Sequence, residues 1–443
     1  MESNRLNHRI PTNYFALTLT LLLSACANNE IYRSDYDITQ EPCNYKDKGD
    51  CEKNALQEFT SENNAEYHLG FVEYDDQGQL RSPAQIETVM GRFDDIAKND
   101  DVLLITFVHG WHHSAKSKDE NILEFRKLLE KTSQAENGDT KRRKILGLYI
   151  GWRGESVNVP LVSDLTFWER KNTAQNVGQQ GVADVLVRLE KLVNDKGKNS
   201  RLVVIGHSFG GALVYTALQN ILVDRHTNSA KNQTGEEQDA KGFGDLVVLI
   251  NPAFEAMRFA TLYDLSQKDC KTHKNQPPRL VILTSEADYA TKYLFPAGRF
   301  FSTLFESYET LDRHQCNDTG VEPPIRVDIK VDEREAARKA VGHFEPYITH
   351  DLRATCTKNC VARARDTAQS IPTKWTEWAN DPKNEKLDFD GGSQLESRGN
   401  TNALNPYLNI KVTKELISDH NNIWGPEIIG FIKDLIIMST TPI

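Results

Sequence analysis

The sequence predicts an α/β fold, built on a mostly parallel central sheet with helices on both faces. Three observations lead there. Short, uninterrupted apolar runs recur at residues 102–108, 145–150, 202–205, 246–250 and 280–283, each rich in branched aliphatics and bounded by polar or glycine residues. A strand that is apolar without alternation is buried on both faces, which is the habit of parallel sheets. Between these runs lie helix-period patterns, such as Ile122, Leu123, Phe125, Leu128 and Leu129, or Val182, Val185, Leu186, Leu189 and Leu192. Strand–helix alternation of this kind covers a parallel sheet with helices. The 443 residues suffice for a large core.

Taken in order, the chain opens with Arg5, His8 and Arg9, an apolar run at 14–23, and then Ser24-Ala25-Cys26. The run is too short to span a bilayer and reads as the apolar core of a signal peptide. Leu23-Ser24-Ala25-Cys26 resembles the bacterial lipobox, which implies removal of residues 1–25 and acylation of Cys26 as a membrane anchor. Ala27 in the next position points to a cell-envelope protein of the outer membrane, facing periplasm or surface. The alternative is an ordinary secretory signal cut near Ala25 or Ala27. Residues 26–65 are polar and read as a tether, and residues 66–443 as one catalytic domain. Residues 67–74 form a strand closed by the turn Asp75-Asp76-Gln77-Gly78, and Ile86, Val89, Met90, Phe93 and Ile96 mark a helix over 83–98. Residues 223–245 are a polar surface excursion. Residues 287–405 are a long insertion before the last strand at 407–412. Its aromatic start at 293–305 reads as the packing of a side layer, with a pocket lining or lid as the other reading.

A net charge of −10 and the lack of a Lys/Arg-rich block exclude a nucleic-acid partner. Of seven cysteines, six remain once Cys26 is set aside: Cys43, Cys51, Cys270, Cys316, Cys356 and Cys360. An even number in an exported chain implies up to three disulfides. Proximity in sequence pairs Cys43 with Cys51 and Cys356 with Cys360, leaving Cys270 with Cys316.

The chemistry centres on Gly206-His207-Ser208-Phe209-Gly210, a G-x-S-x-G pattern. The pattern alone is common, but here the strand at 202–205 runs straight into it and a helical segment from Gly211 follows. A strand-to-helix turn this tight needs small flanking residues and leaves the serine hydroxyl at the carboxyl edge of the sheet, beside the positive end of a helix. Upstream, the strand at 102–108 ends in His109-Gly110-Trp111-His112-His113. Both pieces resemble α/β hydrolases, whose His-Gly loop lends a backbone amide to an oxyanion hole. The resemblance implies that the amides of Trp111 and Phe209 are the donors.

On this fold the triad runs Ser, then Asp or Glu, then His. His420, in a short loop between the last strand and a final amphipathic helix, is the candidate base, with His343 and His350 as alternatives. Asp288, just beyond the strand at 280–283, is the candidate acid, with Glu286 and then Asp264 behind it. The alternative for such an acid is a helix cap. His109, His112 and His113 lack a carboxylate or cysteine at ligand spacing, so no metal and no cofactor are expected. Trp152 and Arg153, after another parallel strand, are expected at the rim of the site, either in contact with substrate or stacked inside it.

Further pieces extend the likeness: Phe71-Val72-Glu73-Tyr74-Asp75-Asp76-Gln77-Gly78, Gly151-Trp152-Arg153-Gly154 and Asp419-His420-Asn421-Asn422-Ile423-Trp424. The chain resembles, over about residues 67–432, a family of largely uncharacterised bacterial and fungal α/β hydrolases. The resemblance implies the fold and a Ser208–His420–Asp288 triad, but no substrate. The expected activity is hydrolysis of a small-molecule or lipid-like carboxylic ester by an acyl-enzyme route. The alternatives are a thioesterase, lipase or acyltransferase with the same triad, a non-catalytic surface binding module, and a metal hydrolase built on the three histidines.

Overall fold

The computed structural model describes residues 30–441, apart from 38–41, 46–49, 62–64, 137–142, 153–170, 172, 175, 197–198, 230–238, 269, 271–275, 318–324, 356–369, 381–385, 390 and 403. Its strands are β1 (Cys43–Asn44), β2 (Leu56–Thr60), β3 (Glu66–Glu73), β4 (Val102–Val108), β5 (Lys144–Gly151), β6 (Arg201–His207) and β7 (Leu246–Ile250). They continue with β8 (Leu280–Ser285), β9 (Thr310–Asn317), β10 (Ile325–Asp332), β11 (His350–Ala354), β12 (Lys386–Phe389), β13 (Ser393–Ser397) and β14 (Tyr407–Val412). The helices used below are α1 (Pro83–Ala97), α2 (Glu120–Glu136), α3 (Ala183–Lys196), α4 (Phe209–Ser229) and α5 (Ala256–Ser266). After them come α6 (Phe295–Ser302), α7 (Glu333–Arg338), α8 (Ser370–Asn380) and α9 (Pro426–Thr440).

Twelve strands form one sheet in the order β1-β2-β3-β5-β4-β6-β7-β8-β14-β11-β13-β12, while β9 and β10 make a separate antiparallel hairpin. From β3 across to β11 every neighbouring pair is parallel. The α/β fold expected from the sequence is therefore the fold observed. The apolar strands work on both faces, as alternation along β4 shows. Leu104 and Val108 pack with Val89 and Phe93 of α1 and with Leu186 and Leu189 of α3, while Leu103, Ile105 and Phe107 pack with Phe125 of α2 and Ile432 of α9. Successive side chains enter opposite layers, so each central strand joins the two cores.

Two expectations need correction. The segment at 26–65 is not a free tether where it is described. Tyr32 and Arg33 give their amides to the Glu73 carboxylate (3.1 and 2.9 Å), and the buried Arg33 donates from Nε to the Ala115 carbonyl at 2.8 Å and lies over the Phe71 ring. β2 then adds antiparallel to β3. Polar composition concealed this because the contacts are an arginine stem and one carboxylate, with few apolar residues. Nor is the stretch at 287–405 only an insertion. It supplies β11, which pairs parallel with β14, and then β13 and β12, which pair antiparallel beyond it. His350–Ala354 is too short and polar to stand out as a strand and is defined by its neighbour.

Within that stretch, Phe295 is buried, but Tyr293, Phe300, Leu304 and Phe305 are exposed, so most of its aromatic start does not pack as a side layer. Disulfides join Cys43 to Cys51 and Cys270 to Cys316. Cys356, Cys360 and Cys26 lie outside the described residues. Among the described residues no helix is long and apolar enough to cross a membrane.

Candidate active site

The site is built at the carboxyl edge of the sheet, where β6 turns abruptly into α4. Ser208 occupies that turn with φ of 56°, a left-handed conformation that costs a non-glycine residue energy and is kept only where its surroundings enforce it. The enforcement is visible. The Ser208 amide donates to the Ile250 carbonyl of β7 at 2.9 Å, and the Ser208 carbonyl accepts from Ala212 (3.1 Å) and Ala253 (3.2 Å). Close approach explains Gly110: a Cβ there would stand 2.7 Å from the Ser208 Cβ, so only glycine lets the loop after β4 pass over that serine.

The Ser208 hydroxyl lies 2.6 Å from His420 Nε2, and His420 Nδ1 lies 2.8 Å from Asp288 Oδ1. The three side chains, remote from one another in sequence, form one hydrogen-bonded line. Because Asp288 is a carboxylate acceptor, Nδ1 carries the proton and Nε2 is left to accept from the serine. Asp288 is fully buried, whereas His420 is 13% exposed and so reachable from outside. Burial by itself would raise the Asp288 carboxyl. The His420 ring and hydrogen bonds from His420 and Thr291 outweigh it and hold the group below the usual carboxylate range.

Sequence reasoning missed the residues that hold this line in place. Thr291 donates its amide (3.1 Å) and its hydroxyl to Asp288, and its oxygen accepts from His343 Nε2 at 2.9 Å. His343, an alternative base, thus stands behind the acid, away from the serine. The His420 carbonyl accepts from Asn251 Nδ2 (3.0 Å) and His207 Nε2 (2.9 Å), which fixes the loop carrying His420. Asn251 passes the order on, its Oδ1 accepting from the Ser285 amide at 2.9 Å. No spacing in the sequence links Asn251, Thr291 and His343, since each acts through a contact across the sheet's edge. Only His207, the x of G-x-S-x-G, lay within a motif.

The remaining candidates are accounted for. Glu286 accepts from the Lys414 amide at 3.2 Å, Asp264 pairs with Arg313 on the outer side of α5, and His350 is buried in β11. His109 accepts from the Trp152 amide at Nε2 (3.0 Å) and lies parallel to the Trp152 indole, whose Nε1 donates to the His109 carbonyl at 2.8 Å. Burial lowers it to about 4, so it is a neutral packing residue. His113 is 3.1 Å from Asp119, and the His112 ring lies tilted against Trp111, with centroids 3.9 Å apart. Trp152 is buried against His109 and does not line the rim, and Arg153 lies outside the described residues. Trp111 directly follows Gly110 in the loop over Ser208, and Phe209 is the first residue of α4, at its positive end.

A family model described as an alpha/beta hydrolase of unknown function (DUF900) matches residues 84–294. The match, just under half of the chain, identifies an alpha/beta hydrolase domain on the sheet described above. The matched span of this α/β hydrolase includes Trp111, Ser208, Phe209 and Asp288, and ends before His420. No curated protein sequence matches the chain. Among solved structures, phospholipase PlaB from Legionella pneumophila in complex with thio-NAD is similar at 16% identity with a TM-score of 0.24. That likeness covers 52% of this chain and 49% of the other, so the chain spans about half the length of that protein.

Proposed function

We propose that this α/β hydrolase is a serine hydrolase that cleaves a carboxylic ester through an acyl-enzyme. One observation carries the reading: the line Ser208 Oγ–His420 Nε2–Asp288, with separations of 2.6 and 2.8 Å. Hydrogen-bond contact between nucleophile and base, with the base oriented by a buried acid, is the arrangement that serine acyl transfer requires. In the first step His420 Nε2 takes the Ser208 proton as Oγ attacks the ester carbonyl. The oxyanion is received by the amides of Trp111 and Phe209. His420 then gives its proton to the departing alkoxide, which leaves as the alcohol. Water repeats the sequence on the acyl-enzyme and releases the acid. Asp288 stays ionised throughout and stabilises the imidazolium.

The same reading places Cys26 as the acylated residue of a mature lipoprotein held at the outer membrane, with lipid-like esters as its substrate class. A fluorophosphonate probe tests the chemistry. It should label the wild-type chain and fail to label Ser208→Ala, while labelling of the variant would overturn the assignment.

A further inference from the structure

The serine stands between two features of the same sheet edge, and together they orient the molecule. The first is the entry of the N-terminal segment. Tyr32 and Arg33 are bonded to Glu73, the last residue of β3, and Arg33 also to Ala115 in the loop after β4. Both lie at the carboxyl ends of parallel strands, the edge on which Ser208 sits. Cys26 is four residues before Glu30, so whatever the course of the chain it cannot be more than about 14 Å from it. Such a leash is too short to let the domain turn its other edge to a membrane.

The second feature begins one residue after the acid. Of the nine large apolar side chains exposed among the described residues, five (Tyr289, Tyr293, Phe300, Leu304 and Phe305) fall within the segment 289–305. Single exposed apolar residues are ordinary, but a run of them is not. Phe305 is 98% exposed, and cations accompany the rings: Lys292 Nζ is 5.5 Å from the Tyr293 centroid, and Arg338 is 4.8 Å from that of Phe300. Aromatic rings beside long cationic side chains suit the boundary between acyl chains and phosphate headgroups. With strands about 4.8 Å apart, the entry beside β3 is roughly 14 Å to one side of β6, and the patch beyond β8 starts roughly 10 Å to the other.

We infer that the surface formed by Tyr289, Tyr293, Phe300, Leu304 and Phe305 docks on a lipid bilayer, so that the edge carrying Ser208 faces the membrane. This deepens the proposed function, on which it rests for the anchor at Cys26, by naming membrane-embedded ester lipids as the substrate class. The test uses the mature full-length protein on vesicles of phosphatidylethanolamine and phosphatidylglycerol with brominated acyl chains, in the Ser208→Ala background. Because it reads fluorescence, it is independent of whether Ser208 is the nucleophile. Tryptophan is introduced by Phe305→Trp, by Tyr293→Trp as a second probe, and by Asn99→Trp at the amino edge of the sheet as a control.

Emission added at positions 305 and 293 is expected to shift to the blue and be quenched by the bromines, while emission added at 99 stays unshifted and unquenched. Unquenched emission at both patch positions, equal quenching at 99, or failure of the chain to stay on the vesicles overturns the inference. The first of these, with fluorophosphonate labelling of the chain that retains Ser208 intact, would leave the hydrolase reading standing.

Discussion

The site contains two His–Asp pairs, and they differ in what they face. His420 and Asp288 are 2.8 Å apart, and His113 and Asp119 are 3.1 Å apart, with the buried His207 ring between the two histidines. By distance alone the pairs are alike. Only the first has a serine hydroxyl on its far side, that of Ser208 at 2.6 Å. The oxygens of Asp119 instead receive the Ser114 amide (2.9 Å) and the Asn121 amide (3.0 Å), so this carboxylate ties down the loop after β4 and caps α2. Asp288 takes the extra hydrogen bonds of Thr291 while remaining directed at His420. A histidine with a carboxylate partner is therefore no evidence of catalysis by itself; the residue on the other ring nitrogen decides.

The comparison breaks if the two acids respond alike. Asp288→Asn should lower kcat by about 10⁴-fold, the scale expected when the group holding the base's tautomer loses its charge. Steady-state kinetics on a short p-nitrophenyl ester checks this, and a loss under tenfold would remove Asp288 from the triad.

A second effect comes from the neutral histidines behind each pair. His109 stands near Asp119, and His343 reaches Asp288 through Thr291; burial lowers each from its ordinary 6.5 to about 4. Between those values the unfolded chain binds a proton that the folded chain refuses. Stability is therefore retained above about pH 6.5 and falls progressively towards pH 4. A shift of that size corresponds to roughly 3 kcal/mol per histidine, enough to unfold an ordinary domain when two or more act together. Thermal melting across that interval should show Tm dropping steeply, and a flat profile would mean that these rings are not buried and neutral.

The smallest effect belongs to the second pair. Asp119→Ala should cost about 1–2 kcal/mol of stability through the lost cap and change kcat by only a few-fold. Denaturant unfolding beside the same kinetic assay separates the two. A catalytic loss rivalling that of Asp288→Asn, at unchanged stability, would make the pairs equivalent.

Much of the fold was legible because buried parallel strands leave continuous apolar runs and their helices leave a 3.6-residue period. The apolar runs at 102–108, 202–205 and 407–412 lie within the strands Val102–Val108, Arg201–His207 and Tyr407–Val412. Legibility failed where a strand is defined by its partner more than by its own composition, as in β2 and β11, and where a polar segment docks through one buried arginine, as at Arg33. In the site, Ser208 was marked by a local turn and His420 and Asp288 by their places after strands. Thr291, Asn251 and His343 had no such mark.

By itself the sequence determined the parallel sheet, the tight turn at Ser208 and the order Ser208, Asp288, His420, because each is a property of neighbouring residues or of order along the chain. Tertiary structure alone decided which histidine meets the serine. It also decided that His113 and Asp119 form a capping pair, that the segment after Glu30 is part of the domain, and that aromatic residues 289–305 emerge on the edge where Ser208 lies. These are distances between residues remote in sequence, and such distances exist only once the sheet has assembled.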